Sequence, residues 1–384
     1  MKIAVDGYEA NVSQRLGSSQ VAYGVIRHIE KIDYKNEYII FLPSPPLGDL
    51  PKPRAGFSYK ILRPKLLWSR IALPLALYTA RSKPDLIFSP THYIPRFSPV
   101  KRIVTIFDLS FLHFPEMFNQ KDLWQLKNWT KFSAENADHI VTISAFTKKD
   151  IISAYGVNKD KITVAYPGYD EEIFHPVSDQ AKIKRVLNKY KIKSPFIIYI
   201  GTIQPRKNLT RLIETFNRII TQDSNDNLQL LIVGKTTGEG REGWMYQDIL
   251  NTPQKFGMEN RVIFTNYVPT LDLPYLLSGA IAFIQPSLWE GFGIPLLEAM
   301  STGCPVLTSH VSSLPEVVGQ AGLLFDPYST DQMEQALRTV ISDQALRRKL
   351  TRLGFLQVKK FSWEKMAKTI VKVFQDVKNI DNHS

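Results

Sequence analysis

Two glutamates eight positions apart, Glu290 and Glu298, bracket a glycine-rich turn in the segment 285–303, QPSLWEGFGIPLLEAMSTG. Apolar runs flank it, 280–284 (AIAFI) and 305–308 (PVLT). Such runs read as buried strands of a parallel sheet, so the stretch between them is a loop followed by a crossover helix. Pro295 suits the first helical turn, where its missing N–H costs nothing. Gly291 and Gly293 let the backbone come close to a ligand, and the free N–H groups of the first turn favour an anion. Glu290 falls on the loop and Glu298 inside the helix, so the two do not share a helical face. The pattern suits a ligand lying across a helix N-terminus, anionic in the middle and hydroxyl-bearing at both ends.

A second charged loop follows the run FIIYI: Gly201-Thr202-Ile203-Gln204-Pro205-Arg206-Lys207-Asn208. Arginine offers forked hydrogen bonds and lysine a point charge, a combination that suits a diphosphate. Solvated cations at an exposed helix start are the competing reading. After LQLLIV, Gly234-Lys235-Thr236-Thr237 resembles the tail of a phosphate-binding P-loop, but the glycine required five residues earlier is Gln229. No G-x-G-x-x-G follows a first strand, and Gly238-Glu239-Gly240 lies in a polar loop. P-loop and nicotinamide-dependent chemistry are both excluded. No Asp-x-Asp occurs, and the seven histidines show no metal-ligand spacing. Side-chain cations and helix N-termini would then have to neutralise a diphosphate without metal.

The first half offers fewer candidates. Gly17, Ser18 and Ser19 precede a helix over 20–32 and either admit a substrate closely or supply a serine cap. Asp108 directly follows the run IVTIF and either faces a ligand or caps the next turn. His92 and His113 follow strands, with ligand contact and a structural role both open. Ser144 in TISAFTKKD reads as an N-cap.

The elements that position these residues alternate. Strands are expected at 3–6, 38–42, 59–62, 85–89, 103–107, 139–143 and 162–165. A second set falls at 196–200, 228–233, 262–265, 280–284, 305–308 and 322–325. Helices are expected at 19–32, 66–81, 122–137, 145–155, 209–221, 273–279, 294–301, 314–318, 330–342, 345–360 and 362–378, with a charged helix in 181–193. Such alternation implies α/β architecture with two doubly wound parallel sheets, broken near 170–194. Ligands bind outside the C-terminal ends of such strands, where the candidates cluster.

Length and composition agree. A chain of 384 residues exceeds one comfortable core. Its 44% hydrophobic and 11% aromatic content excludes a disordered class. The single cysteine, Cys304, excludes a disulfide framework, points to a reducing compartment and reads as a small buried residue. A strand begins at once, with no signal peptide, and 66–80 (LLWSRIALPLALYTA) is too short and too interrupted by Arg70 and Pro74 to span a bilayer. A cytoplasmic location is expected. The net charge of +12 is uneven: 51–102 holds 11 Lys or Arg against one acid, Asp85. A solvated basic face, a surface for anionic lipid, at about 1 kcal/mol per basic residue, and a polyanionic acceptor all fit. Nucleic acid lacks any matching motif.

The segments SLWEGFGIPLLEAMSTGCPVLTS, GTIQPRKNLTRLIE, VTISAFTKKDI, VAYPGYD and FSWEKMA closely resemble the retaining GT-B glycosyltransferases of family four, the group 1 glycosyltransferases, over about 17–374. Bacterial mannosyltransferase-like members are the most similar in flavour. The resemblance implies two Rossmann-like domains facing across a cleft: an acceptor-binding domain over 1–172, with a helix from about 362–384 crossing back to it, and a donor-binding domain over 173–361. It implies Glu290 at the donor sugar and, with Asp108, as catalytic candidates. Lys207 and Arg206 would hold the diphosphate, Glu298 the ribose, and the backbone of Gly291, Phe292, Gly293 and Ile294 the diphosphate and sugar. Tyr267 and Val268 would flank the base, with Gly17, Ser18, His92 and His113 on the acceptor side.

The implied reaction transfers a hexose with retention and without metal or other cofactor, the leaving phosphate taking the acceptor proton on the same face. The co-substrate is GDP-mannose foremost, or a UDP-hexose, and the acceptor is a saccharide or lipid-linked saccharide. The basic first domain would touch an anionic membrane at its cytoplasmic face, and nucleic acid is not a partner. The alternatives are a UDP-sugar-dependent transferase with another acceptor and an inactive nucleotide-sugar-binding partner or sensor. The chain departs from the family twice. Thr202 stands where many members have arginine, with Arg206 to supply the charge. Phe107 stands where many have histidine before the aspartate, with His113 or His92 as substitutes.

Overall fold

The computed structural model describes residues 1–223, 227–234 and 246–380. The P-loop-like tail beyond Gly234 and the Gly238-Glu239-Gly240 tract lie outside the described residues. The chain divides into two units: Met1–Pro115 with Gln120–Gly168 and Phe361–Ser384, and Glu116–Asn119 with Tyr169–Lys360. The chain passes from the first unit into the main body of the second between Gly168 and Tyr169.

In the first unit seven parallel strands run β1 (Lys2–Asp6), β2 (Glu37–Leu42), β3 (Phe57–Ile61), β4 (Leu86–Ser89), β5 (Lys101–Ile106), β6 (His139–Thr142) and β7 (Ile162–Val164). Their order is β3-β2-β1-β4-β5-β6-β7. The chain winds outward from β1 in one direction, then crosses to β4 and winds in the other. In the second unit the strands are β8 (Phe196–Ile200), β9 (Gln229–Val233), β10 (Val262–Phe264), β11 (Ala282–Gln285), β12 (Val306–Ser309) and β13 (Gly322–Phe325). Their parallel order, β10-β9-β8-β11-β12-β13, reverses between β8 and β11. Central strands such as LIFS and AFIQ are buried at every residue, which is why they read as unbroken apolar runs.

The last helix, Trp363–Ile380, belongs to the first unit and packs on the helix Ser18–Ile32. The Ser362 hydroxyl accepts the Lys365 N–H at 3.1 Å and caps it. Phe374, fully buried, meets Phe88 of β4 with ring centroids 5.3 Å apart. Lys378 pairs with Asp85. The contact needs small residues: a Cβ on Gly168 would lie 2.1 Å from the Trp363 nitrogen, and one on Gly24 would lie 2.7 Å from the Trp363 ring.

Three expectations are corrected. The strand at 280–284 begins at Ala282, because Ala280 serves as the C-cap of the helix Leu273–Gly279. The helix at 66–81 is a π-helical turn, Trp68–Ala72, running into the α-helix Leu73–Tyr78 with Pro74 in its first turn. The helix Gln247–Lys255 was not expected, since Pro253 near its end reads as a breaker. Among the described residues no helix is long and apolar enough to cross a membrane.

Candidate functional site

In the second unit the chain leaves β8, makes a 3-10 turn over Pro205–Lys207 and enters the helix Leu209–Asp223 through Asn208 at φ 58°. Asparagine tolerates this left-handed conformation better than most side chains. The buried Asn208 amide donates to the carbonyls of Pro286, 3.1 Å, and Pro327, 2.8 Å. The Leu288 N–H donates to the Arg206 carbonyl at 2.8 Å. These bonds tie the loop after β8 to those after β11 and β13, at the place where the strand order reverses. Sequence reasoning quoted Asn208 without giving it a role; the only signal was asparagine directly after the two cations.

Glu290 is the hub of the tied loops. Its carboxylate accepts from Lys207 Nζ, Arg206 Nη1 at 3.3 Å, Gln285 Nε2 at 2.9 Å and Ser287 Oγ at 2.7 Å. Its N–H donates to Ser312 Oγ at 3.0 Å, and its carbonyl accepts from Ser313 Oγ at 2.9 Å. Ser313 Oγ also donates to the Phe292 carbonyl, 3.1 Å. Arg206 donates further to the Trp289 carbonyl. Burial alone would push the Glu290 carboxyl up, but the charges of Lys207 and Arg206 and the hydrogen bonds outweigh it and hold the group at about 2. With side-chain exposures of 13% and 16%, Lys207 and Arg206 are not solvated surface cations. Gln285, Ser287, Ser312 and Ser313 escaped sequence reasoning, since hydroxyl and amide side chains carry no local mark of such a role.

Gly293, at φ 110°, caps the helix Ile294–Ser301, and a side chain there would press on Leu296 and Leu314. Gly291 and Phe292 are buried, and Ile294 opens the helix. Glu298 sits on the second turn, apart from the Glu290 cluster. Its carboxyl has no hydrogen-bond partner among the described residues, and burial, aided by the like charge of Asp170, raises it to about 8. One segment therefore holds an ionised carboxylate and, at neutral pH, a protonated one. Tyr267, 48% exposed, and buried Val268 follow β10 at the edge of the same sheet.

In the first unit the structure brings together three candidate positions. His92, on the loop after β4, accepts the Phe107 N–H at Nε2 over 3.4 Å and lies against the Phe107 ring at 5.4 Å. Burial lowers the His92 pKa, with the charge of Asp108 opposing. Asp108 accepts the Ser110 N–H at 2.8 Å, so it does cap the next turn. His113 stands apart from Phe107 and pairs with Asp150, Nε2 to Oδ1 at 2.9 Å. Gly17, at φ 54°, caps the helix Ser18–Ile32 with no side-chain cap bond. The serine-cap alternative is corrected: Ser19 bonds back to Leu16 instead. Ser144 caps Ala145–Tyr155 as expected, and Cys304 is buried.

Sequence reasoning also missed Asp6, at the end of β1. It accepts the Tyr8 N–H at 3.1 Å and the Trp68 indole N–H at 2.9 Å, and the Tyr8 and Trp68 rings meet at 5.3 Å. Burial pushes the Asp6 carboxyl up to about 6, and the nearby Glu9 charge adds to this. An acid followed by glycine at a strand end was the available signal. Among the described residues no group of three or more His, Cys, Asp or Glu side chains is placed to hold a metal ion.

Residues 179–356 match the family model for glycosyl transferases group 1, and residues 17–173 that for glycosyltransferase family 4. An O-antigen chain mannosyltransferase B of Escherichia coli is 32% identical over 80% of this chain and 76% of its own length. A serotype-specific mannosyltransferase WbdA of Escherichia coli is 29% identical over 62% of the chain, and that match spans only 29% of the relative. Among solved structures, a sucrose-phosphate synthase from Thermosynechococcus elongatus superposes with a TM-score of 0.77 at 19% identity, covering 98% of each chain. Anabaena HepE in complex with UDP and glucose gives 0.75 at 17% identity, covering 97% of this chain and 99% of that one.

Proposed function

The chain belongs to the group 1 glycosyl transferases and has their GT-B fold, and from that premise we propose that it transfers a mannosyl residue from GDP-mannose to a saccharide carried on a lipid. The observation that carries the reading is the Glu290 cluster: an ionised, buried carboxylate beside two cations at the strand-order reversal of the second sheet. A carboxylate fixed in that state accepts hydrogen bonds from sugar hydroxyls, and Lys207 and Arg206 supply charge for a diphosphate without metal. Glu298 has an unengaged carboxyl for the ribose hydroxyls, and Tyr267 with Val268 the place of the base. The mannosyltransferase relatives support the sugar, and HepE with UDP and glucose supports a nucleotide-sugar donor in this fold. In this reading the first unit takes the acceptor at the C-terminal ends of its strands, among Asp108, His92, Gly17 and Ser18. The configuration is retained, and the enzyme works at the cytoplasmic side of a membrane.

A panel of sugar nucleotides tested by thermal stabilisation checks the donor. A ligand at about 100 times its Kd adds roughly 2.7 kcal/mol, so GDP-mannose should give the largest rise in Tm. A UDP-sugar giving the largest rise would replace it. With the donor known, Glu290→Ala should keep nucleotide binding and lose most transfer; near-normal transfer would overturn the role of Glu290. The anomeric configuration of the product, read by NMR, tests retention, and activity in the presence of EDTA tests independence of metal.

A further inference from the structure

Asn208 stands directly after the two cations of the second unit, yet it takes no part in the ligand contacts assigned above. Each of its polar groups is engaged inside the protein. Its N–H donates to the Pro205 carbonyl at 2.9 Å, and its own carbonyl accepts the Leu212 N–H at 3.2 Å. Its side-chain nitrogen donates to the carbonyls of both Pro286 and Pro327, and its amide oxygen accepts from Arg211 Nη1 at 2.8 Å. Arg211 also donates to the Pro327 carbonyl, at 2.9 Å, so that carbonyl is held twice. A buried side chain whose donors are all committed has none to offer a ligand. Whatever it does for binding, it does through its neighbours.

Those neighbours carry the charge. Lys207, one residue earlier, reaches Glu290, and Arg206, two residues earlier, bonds Glu290 and the Trp289 carbonyl. On the other side of the bond to Pro286 comes Ser287, whose hydroxyl donates to Glu290 at 2.7 Å. One side chain thus holds both the backbone from which the cations extend and the backbone that begins the loop of the carboxylate. Its identity is tightly constrained. At φ 58° glycine is free of strain but has no amide. Aspartate has the shape and tolerates the conformation, but it would set acceptors against two carbonyl oxygens. Asparagine meets both demands.

We propose that Asn208 is a positioning residue for the donor diphosphate: it touches no ligand, and it sets Lys207 and Arg206 by tying their turn to Pro286 and Pro327. Charge-assisted bonds depend on short distances and good alignment, so a turn that drifts loses them without any change in the cations themselves. The ligand in this statement rests on the diphosphate reading given above. The tie between Asn208 and the Lys207–Glu290 pair does not, since it exists in the ligand-free chain.

The test compares the full chain with Asn208→Gly, which keeps the left-handed backbone without strain and removes only the side-chain bonds. Calorimetry with GDP and with UDP reads diphosphate affinity, and urea unfolding without ligand reads the Lys207–Glu290 contact. Asn208→Gly should bind the preferred nucleoside diphosphate about tenfold more weakly and the matching nucleoside, guanosine or uridine, equally well. In the ligand-free chain, the stability lost on Lys207→Ala should fall to roughly half or less once residue 208 is glycine. A merely structural role lowers stability and moves neither readout. Unchanged diphosphate affinity overturns the proposal, as does an equal loss with the nucleoside or an undiminished effect of Lys207→Ala. Asn208→Ser, which retains a short donor, takes the place of a glycine variant that does not fold, and the same outcomes decide. Wild-type protein that binds neither GDP nor UDP overturns the donor reading, while the unfolding comparison still decides whether Asn208 positions Lys207.

Discussion

The two sheets reverse strand order in the same manner, and what stands at the reversal differs in charge. In the second unit, between β8 and β11, two cations and a carboxylate held at about 2 share one hydrogen-bonded cluster. In the first, β1 ends on Asp6, whose carboxyl burial pushes up to about 6, with Tyr8 and Trp68 beside it. The loop after the adjoining β4 carries His92, whose charged form burial also disfavours. One reversal point holds its carboxylate ionised well below neutrality, and at the other burial works against charge. A diphosphate suits the first kind, whereas aromatic faces and weakly charged groups suit a neutral, hydroxyl-rich ligand.

The comparison breaks most sharply at Glu290. Glu290→Ala leaves Lys207 and Arg206 partly buried without their counter-charge, and removing one partner of a buried pair costs about 3–5 kcal/mol. Urea unfolding should show that loss, and Glu290→Ala/Lys207→Ala should lose less than the sum of the two single variants. Additive losses would mean that the pair is not coupled. Next comes Lys207→Ala, expected to weaken nucleoside diphosphate binding by about 1.5–3 kcal/mol in calorimetry. His92→Ala should leave that affinity unchanged and raise the KM for acceptor. A His92 variant that weakens donor binding would erase the distinction between the two regions.

The smallest effect is a matter of pH. Glu290 lies below its ordinary value of 4.5, so its contribution to stability is present above pH 4.5 and lost as pH falls toward 2. Glu298 lies above 4.5, at about 8, so its contribution is present below pH 4.5 and lost as pH rises through 8. Glu298→Gln cannot ionise, and its stability should gain on the wild type steadily as pH rises from 4.5 to 8, by up to about 1.4 kcal/mol per pH unit. A constant difference across that range, measured by thermal melts, would place the Glu298 carboxyl in solvent.

Most of the fold was legible because parallel strands buried on both faces appear as continuous apolar runs bounded by turn residues. LIFS and FIIYI could be read as little else. The shift of β11 by two residues came from a helix end that no apolar count distinguishes from a strand start. The candidate site was legible in kind and not in arrangement. Arg206, Lys207, Glu290 and Glu298 stood out as candidates, yet nothing local says that Lys207 pairs with Glu290, 83 residues later. That contact depends on how two crossover loops meet, and the buried asparagine that joins them looks like any helix-start residue. Asp6 was missed for the same reason, since its raised pKa comes from packing that the strand KIAVD does not reveal.

The returning helix Trp363–Ile380 has a consequence for synthesis. Residues 169–360 emerge from a ribosome in one stretch and contain nearly everything that the second unit needs. The first unit, though begun earlier, cannot cover Phe88 until Phe374 has been added. The part of its sheet around Phe88 must wait uncovered while the later unit is made, so the order of completion runs opposite to the order of translation.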